Sequence, residues 1–311
     1  LFLGTIAAGQ DASVWVAGNA GAEATALRDV YIWANGDLTA AVNAGQNASV
    51  IVTGDVLATV TAADSATVAT LGDVNETVTA VTGDVYLAVE GNVLENISAG
   101  NDAFVTAAGN VLAAVTAGHD LVVVTLSNLT STLTSGNNAS VIVYGGNANL
   151  GLDAGGSAFV VSHGILEGTL DADGDAYVLG FDSTTLDLDV LGNASLTTIG
   201  TYAGSIETGG SLILTGLNNV QVIATVGELA AFTVDGNLQA TLTTGGSAVL
   251  TTLGGSTQVS VTAAENAVLF VAGTLTASVI QADGFASLTV LGAAADITLE
   301  GTEGAFAWAF D

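Results

Sequence analysis

The segment AGNDAFVTAAGNVLAAVTAG, residues 99–118, states one nine-residue pattern twice, and the rest of the chain keeps to it. A frame opened at Gly9 and advanced by 18 or 19 residues restarts at 27, 45, 63, 82, 100, 118, 136, 155, 173, 191, 209, 227, 245, 264 and 283. Five residues after each start stands a large apolar side chain: Val14, Ile32, Val50, Val68, Leu87, Val105, Val123 and Val141, then Val160, Val178, Leu196, Leu214, Phe232, Leu250, Leu269 and Leu288. Two residues earlier the position is apolar and usually small, as in Ala12, Val30, Ala48 and Ala66. Nine residues after the start, thirteen of the sixteen frames carry glycine, the exceptions being Ser127, Asp182 and Asn218. A repeat of this length constrains the fold more than any local propensity, because each unit must bury its apolar side against the next.

Inside a unit the period is two. Ala103, Val105 and Ala107 alternate with Phe104 and Thr106, and Val111, Ala113 and Val115 with Leu112 and Ala114. Alternation in Val- and Thr-rich segments predicts strands. Glycine at the boundaries predicts tight corners with positive φ. Strand, corner, strand, corner at constant length predicts an all-β fold: a single-stranded parallel β-solenoid, or β-helix, of about 16–17 coils with 18–19 residues per coil. At about 4.8 Å per coil the rod would be roughly 80 Å long. It would run continuously over 1–311, with 1–8 and 301–311 as terminal edge segments. The absence of proline agrees, because a strand paired on both sides cannot spare its N–H.

The units AGNDAFVTAAGNVLAAVTAG, AGQNASVIVTGDVLATVTA and SGNNASVIVYGGNANLGLDAG resemble those of filamentous-haemagglutinin-like β-helical surface proteins. The resemblance implies a right-handed β-helix exported as an adhesin or surface fibre, and hence an extracellular or cell-surface location.

Composition removes several function classes. Thirty acidic residues face one base, Arg28, for a net charge of −29. Phosphate backbones and anionic membrane surfaces are therefore not expected partners. No apolar run is long enough to insert in a membrane. No cysteine is present, so disulfides, thiolate metal sites and thiol nucleophiles are excluded. The chain lacks methionine and a basic signal-peptide flank, which reads as a processed product or a segment of something longer. His119 and His163 fall at different repeat positions with no nucleophile set by spacing, and no lysine exists for a phosphate loop or Schiff base. The expectation is no enzyme and no catalytic residue. Six N-x-S/T sequons, at Asn47, Asn75, Asn96, Asn128, Asn138 and Asn193, mark glycans only where the producing cell attaches them.

Two ladders of polar corner residues recur. One runs Asp11, Asp29, Asn47, Ser65, Asp84, Asp102, Asp120 and Asn138; the other Asn19, Asp37, Asp55, Asp73, Asn92, Asn110 and Asn128. Asx side chains that bond to nearby backbone explain them first. Carboxylates repeated at Asp37, Asp55 and Asp73 also make weak calcium candidates, so the cofactor expectation is none beyond weakly held divalent cations such as calcium. Glu76 and Glu95 share one column. They read as an acid/base pair, as half of a metal site or, more simply, as a bulge that turns the column outward, with Ala113 and Ser131 at the same position.

The outer faces differ. The second strand points Thr25, Asn43, Thr61, Thr79, Ser98, Thr116 and Thr134 outward; the first points Trp15, Trp33, Ile51, Val124, Ile142, Val161 and Leu179 outward. One further coil places Trp308 in that column, flanked by Phe306 and Phe310. An apolar stripe on a solenoid marks an interface, and these ten residues are the candidate self-association set. The expected partner is the protein itself, joined head-to-tail or laterally into a fibre. Glycans held by the aromatic stripe are a second partner class. A third reading takes the Thr-x-Thr segments at 59–61, 77–79, 132–134 and 241–243 as an ice-binding array, which Asp171, Asp189 and Glu207 interrupt.

Overall fold

A computed structural model describes residues 2–310; Leu1 and Asp311, the outermost residues of the two edge segments, lie outside the described residues. These hold thirty-four strands, two to a coil, and no helix: an all-β parallel β-solenoid of about seventeen coils. The chain divides into two compact units, Leu1–Gly156 and Ser157–Asp311.

In the first unit the first strands run from Ala12–Val16 through Ala48–Val52 and Ala103–Ala107 to Ala139–Val143, and each pairs in parallel with its equivalent 18 or 19 residues on. Val14 pairs with Ile32, Ile32 with Val50, Val105 with Val123 and Val123 with Val141. The second strands make the opposite sheet, with Val60 paired to Val78 and Ile97 to Val115. The second unit repeats this arrangement: Val160 pairs with Val178, Leu214 with Phe232, and Leu250 with Leu269. The columns read from the sequence are thus the real ladders within each unit.

The core is the space between the two sheets. Ile32, Val50, Val105, Val123 and Phe232 are all buried, as are the alanines beside them. Small beside large fills the narrow interior, and dense contact on every side replaces the thick core of a globular domain. Thr125 Oγ1, in the core, donates to the Gly109 carbonyl at 2.7 Å and accepts from the Ser127 N–H at 3.1 Å, and the Thr252 and Thr257 hydroxyls bond to each other, whereas the buried Thr184 hydroxyl has no partner among the described residues. The largest polar insertion, Tyr202, donates its hydroxyl to the Leu186 carbonyl at 2.9 Å. Burial, with Asp187 nearby, raises its pKa.

Two corner details qualify the sequence reading. Gly255, at φ +69°, fits the expectation of a left-handed corner. Gly54, Gly72 and Gly118 do not, since none lies in that region. They are required by close approach between coils. A methyl on Gly118 would strike the Gly100 carbonyl oxygen, and one on Gly72 the Asp55 carboxylate below it. No bulge stands at Glu76 and Glu95, because the register between coils is unbroken there; instead the second strand is interrupted, as it also is in coils without a glutamate. Second strands there shrink to three residues, Val78–Ala80 and Ile97–Ala99, preceded by a single bridge at Val74 or Val93. Both glutamates are exposed, whereas Ala113 at the same position is buried.

Candidate interaction face

The outer face of the first strands is the most distinctive surface of each unit. Three columns project from it, and the ladder register fixes which residues stand over one another.

In the first unit the middle column runs Trp15, Trp33, Ile51, Ala69, Ala88, Thr106, Val124 and Ile142. Trp15 is 77 % exposed, and its ring stands 5.6 Å from that of Trp33 at a 32° tilt. Ile51 is also exposed, while Val124 and Ile142 are half-buried. The apolar stripe expected from the sequence is therefore not even. Ala69, Ala88 and Thr106 interrupt it with short side chains and leave a groove of about 540 Å3 walled by Leu71 and Leu126.

In the second unit Val161 and Leu179 are half-buried, and the column continues as Thr197, Thr215, Thr233 and Thr251 before reaching Phe270. Trp308 pairs with Thr289 in that column, as the extended frame requires, and is 62 % exposed. Phe306 and Phe310 are exposed on either side of it. Phe306 meets Phe285 at 6.2 Å.

The flanking columns carry as much apolar surface as the middle one, and following one column in the sequence missed them. Tyr31, Tyr86, Phe159, Tyr177 and Ile213 stand two residues before the middle column, and Leu71, Leu126, Tyr144, Phe181 and Leu217 two residues after it; all ten are exposed. Tyr86 stacks flat on Phe104 at 5.1 Å and His163 on Phe181 at 4.4 Å. The signal was present in the same alternation, since positions two apart on a strand share a face.

The corner ladders have a structural task. In the ladder from Asn19 to Asn128, each side-chain oxygen accepts the backbone N–H of the next ladder residue at 2.6–3.2 Å, ending with the Asn147 N–H on Asn128. The weak calcium candidates Asp37, Asp55 and Asp73 belong to this series, and one oxygen of each is committed to backbone. The ladder from Asp11 to Asn138 does the same at 3.0–3.4 Å. Corner N–H groups that no strand can reach are thereby satisfied by the coil beneath.

Hydrogen bonding shifts several of these carboxyls. The Asn47 N–H and amide hold Asp29 below the ordinary Asp value. Burial pushes Asp84 up, but the Asn101 amide, the Asp102 N–H and the Tyr86 hydroxyl outweigh it and leave it lowered. Burial likewise opposes the Asn138 N–H and His119 at Asp120, which also ends low. Outside the ladders, at Asp187 on the outer face of strand Thr184–Val190, the Ser205 hydroxyl and N–H likewise lower the pKa. A lowered folded pKa stabilises the fold above the unfolded value, 3.8, and that stabilisation is lost as pH falls through the folded value. NMR titration is expected to place the Asp84 and Asp120 midpoints below 3.8; midpoints above it would contradict the ladder's role.

His119, set aside in the sequence, lies beside the first ladder. Its Nδ1 is 3.2 Å from Asp102 and 3.5 Å from Asp120, and the three groups lie within 4.8 Å of one another. Arg28 pairs with Asp11 at 3.2 Å on the open surface, where such a pair contributes about 0–1 kcal/mol. The fold and this face define a parallel β-solenoid repeat protein with an apolar outer sheet. No family model, curated protein or solved structure matches the chain.

Proposed function

We propose that this chain is a structural solenoid: a subunit or segment of an extracellular or cell-surface bacterial fibre that holds copies of itself together. One observation carries the proposal. In the first unit the outer face of the second strands carries a polar column from Thr25 through Asn43, Thr61, Thr79, Ser98 and Thr116 to Thr134, with Leu57 and Leu112 exposed beside it, whereas the first-strand face exposes Trp15, Tyr31, Ile51, Leu71, Tyr86 and Leu126. A solvated β-face has no use for so many large apolar groups, and a contiguous apolar patch on a repeat protein fits an interface. Backbone ladders supply stiffness and this face supplies lateral adhesion. Strand Gly304–Ala309 pairs with Phe285–Val290, and its other edge fits a further coil, of the same chain or of another copy.

The exported location rests on the resemblance of the repeat units to filamentous-haemagglutinin-like surface proteins. Absence of catalysis, and of any cofactor beyond weakly held cations, belongs to the same proposal. The stacked Tyr86–Phe104 pair favours one alternative, an adhesin that holds glycan rings against exposed aromatics. A carbohydrate array separates the two.

Self-association has a salt signature. With a net charge of −29, copies repel at low ionic strength. Salt shortens the screening length to about 8 Å at 0.15 M and weakens that repulsion, while apolar contact persists. Sedimentation and electron microscopy are expected to show association that rises with salt. A monomer at every salt concentration would overturn the proposal.

A further inference from the structure

The middle column of the first unit is self-complementary in size. Trp15, Trp33 and Ile51 form a ridge three coils long, and Ala69, Ala88 and Thr106 form a groove three coils long directly after it. Resting on the self-association proposed above, we infer that this face pairs with a second copy of itself about a two-fold axis. The axis lies in the interface, parallel to the strands, between the coils of Ile51 and Ala69. The rotation sets Trp33 over Ala88 of the partner subunit, Trp15 over the partner's Thr106 and Ile51 over the partner's Ala69. Within this column each large group meets a small one, and each contact occurs twice, as an isologous interface requires.

Charge and area point the same way. Over these six coils the three outward columns contain a single charged residue, Glu90, in a chain of net charge −29. Under the rotation Glu90 faces the partner's Asn35, an amide donor, and never another carboxylate. Tyr31 faces the partner's Tyr86, ring against ring. Six strands about 4.8 Å apart and about 20 Å wide give a footprint near 600 Å2 per copy, or about 1,200 Å2 in all, the lower bound for a specific pair. The opposite choice, an axis along the solenoid, would stack ridge on ridge and leave the groove facing itself across a void. That arrangement loses contact where the first gains it.

The test uses the full chain, whose lack of cysteine makes any introduced thiol unique. Ala17 and Ala108 flank the middle column five coils apart and face each other across the inferred interface. A mixture of the Ala17→Cys and Ala108→Cys chains is expected to cross-link with a short bis-maleimide, while either chain alone is not. Ala88→Trp fills the groove and is expected to weaken pairing at least about 30-fold in sedimentation, as does Trp33→Ala, which removes the knob. Combining the two exchanges knob and hole and is expected to restore pairing. All these positions point outward, and circular dichroism checks that the fold is retained. If wild-type chains associate but the mixture does not cross-link, or Ala88→Trp has no effect, the two-fold pairing is wrong and lateral self-association stands. If wild-type chains do not associate at all, both fall.

Discussion

Truncating Phe232 to alanine is expected to destabilise the second unit by about 3–5 kcal/mol. Phe232 is 1 % exposed and stands in the inward column between Leu214 and Leu250. The hole it would leave cannot close. Its walls are side chains on strands Leu212–Gly216 and Ala248–Thr252, each held in a parallel ladder at fixed spacing. A globular core can shift a helix to fill a void, but a solenoid coil can move only by breaking ladder bonds. Both the lost transfer free energy and the cavity cost are therefore felt in full. Thr233→Ala, one residue on and pointing outward, is expected to change stability by no more than about 0.5 kcal/mol. Denaturant unfolding followed by far-ultraviolet circular dichroism measures both variants. A loss below about 1 kcal/mol at Phe232 would contradict the packing described here.

Val123→Pro is expected to cost the first unit about 3 kcal/mol or more. Strand Leu121–Thr125 is paired on one side with Ala103–Ala107 and on the other with Ala139–Val143. Proline offers no N–H, so a carbonyl of a neighbouring coil loses its donor in a buried place. The ring also fixes φ near −65°, away from the parallel-strand value near −120°. Because each coil touches only its neighbours, the defect is expected to part the unit at this rung. Hydrogen exchange should then show protection collapsing in the coils around Val105 and Val141 and persisting further away. Val124→Thr keeps the N–H and a β-branched side chain on the outer face and serves as control. If Val123→Pro melted like wild type, that strand would not be interior to a sheet.

Much of the architecture could be read before any coordinates, because a solenoid writes its tertiary contacts into its sequence. In most folds the residue packed on Val105 could come from anywhere in the chain. Here it comes from one period away, at Leu87 and Val123, so a periodic column is also a contact list. That Glu76 and Glu95 face outward was legible for the same reason, since a charged pair cannot share a buried column.

The candidate interaction face was only partly legible. Trp15, Trp33 and Trp308 stand out by residue type. The flanking columns with Tyr31, Tyr86, Leu71 and Leu126 hide among alternating apolar residues that could have belonged to either side. His119 was missed because its partners Asp102 and Asp120 converge on it only once coils are stacked.

Period and alternation alone determined the strand faces, the coil length and the inward columns, because burial of one side of every strand leaves a single consistent register. Only the tertiary structure decided why the corners need glycine, where the corner N–H groups find acceptors, and that the outer column is a ridge followed by a groove. These three depend on distances between successive coils and on side-chain height above a sheet. A one-dimensional pattern names the residues but carries neither quantity.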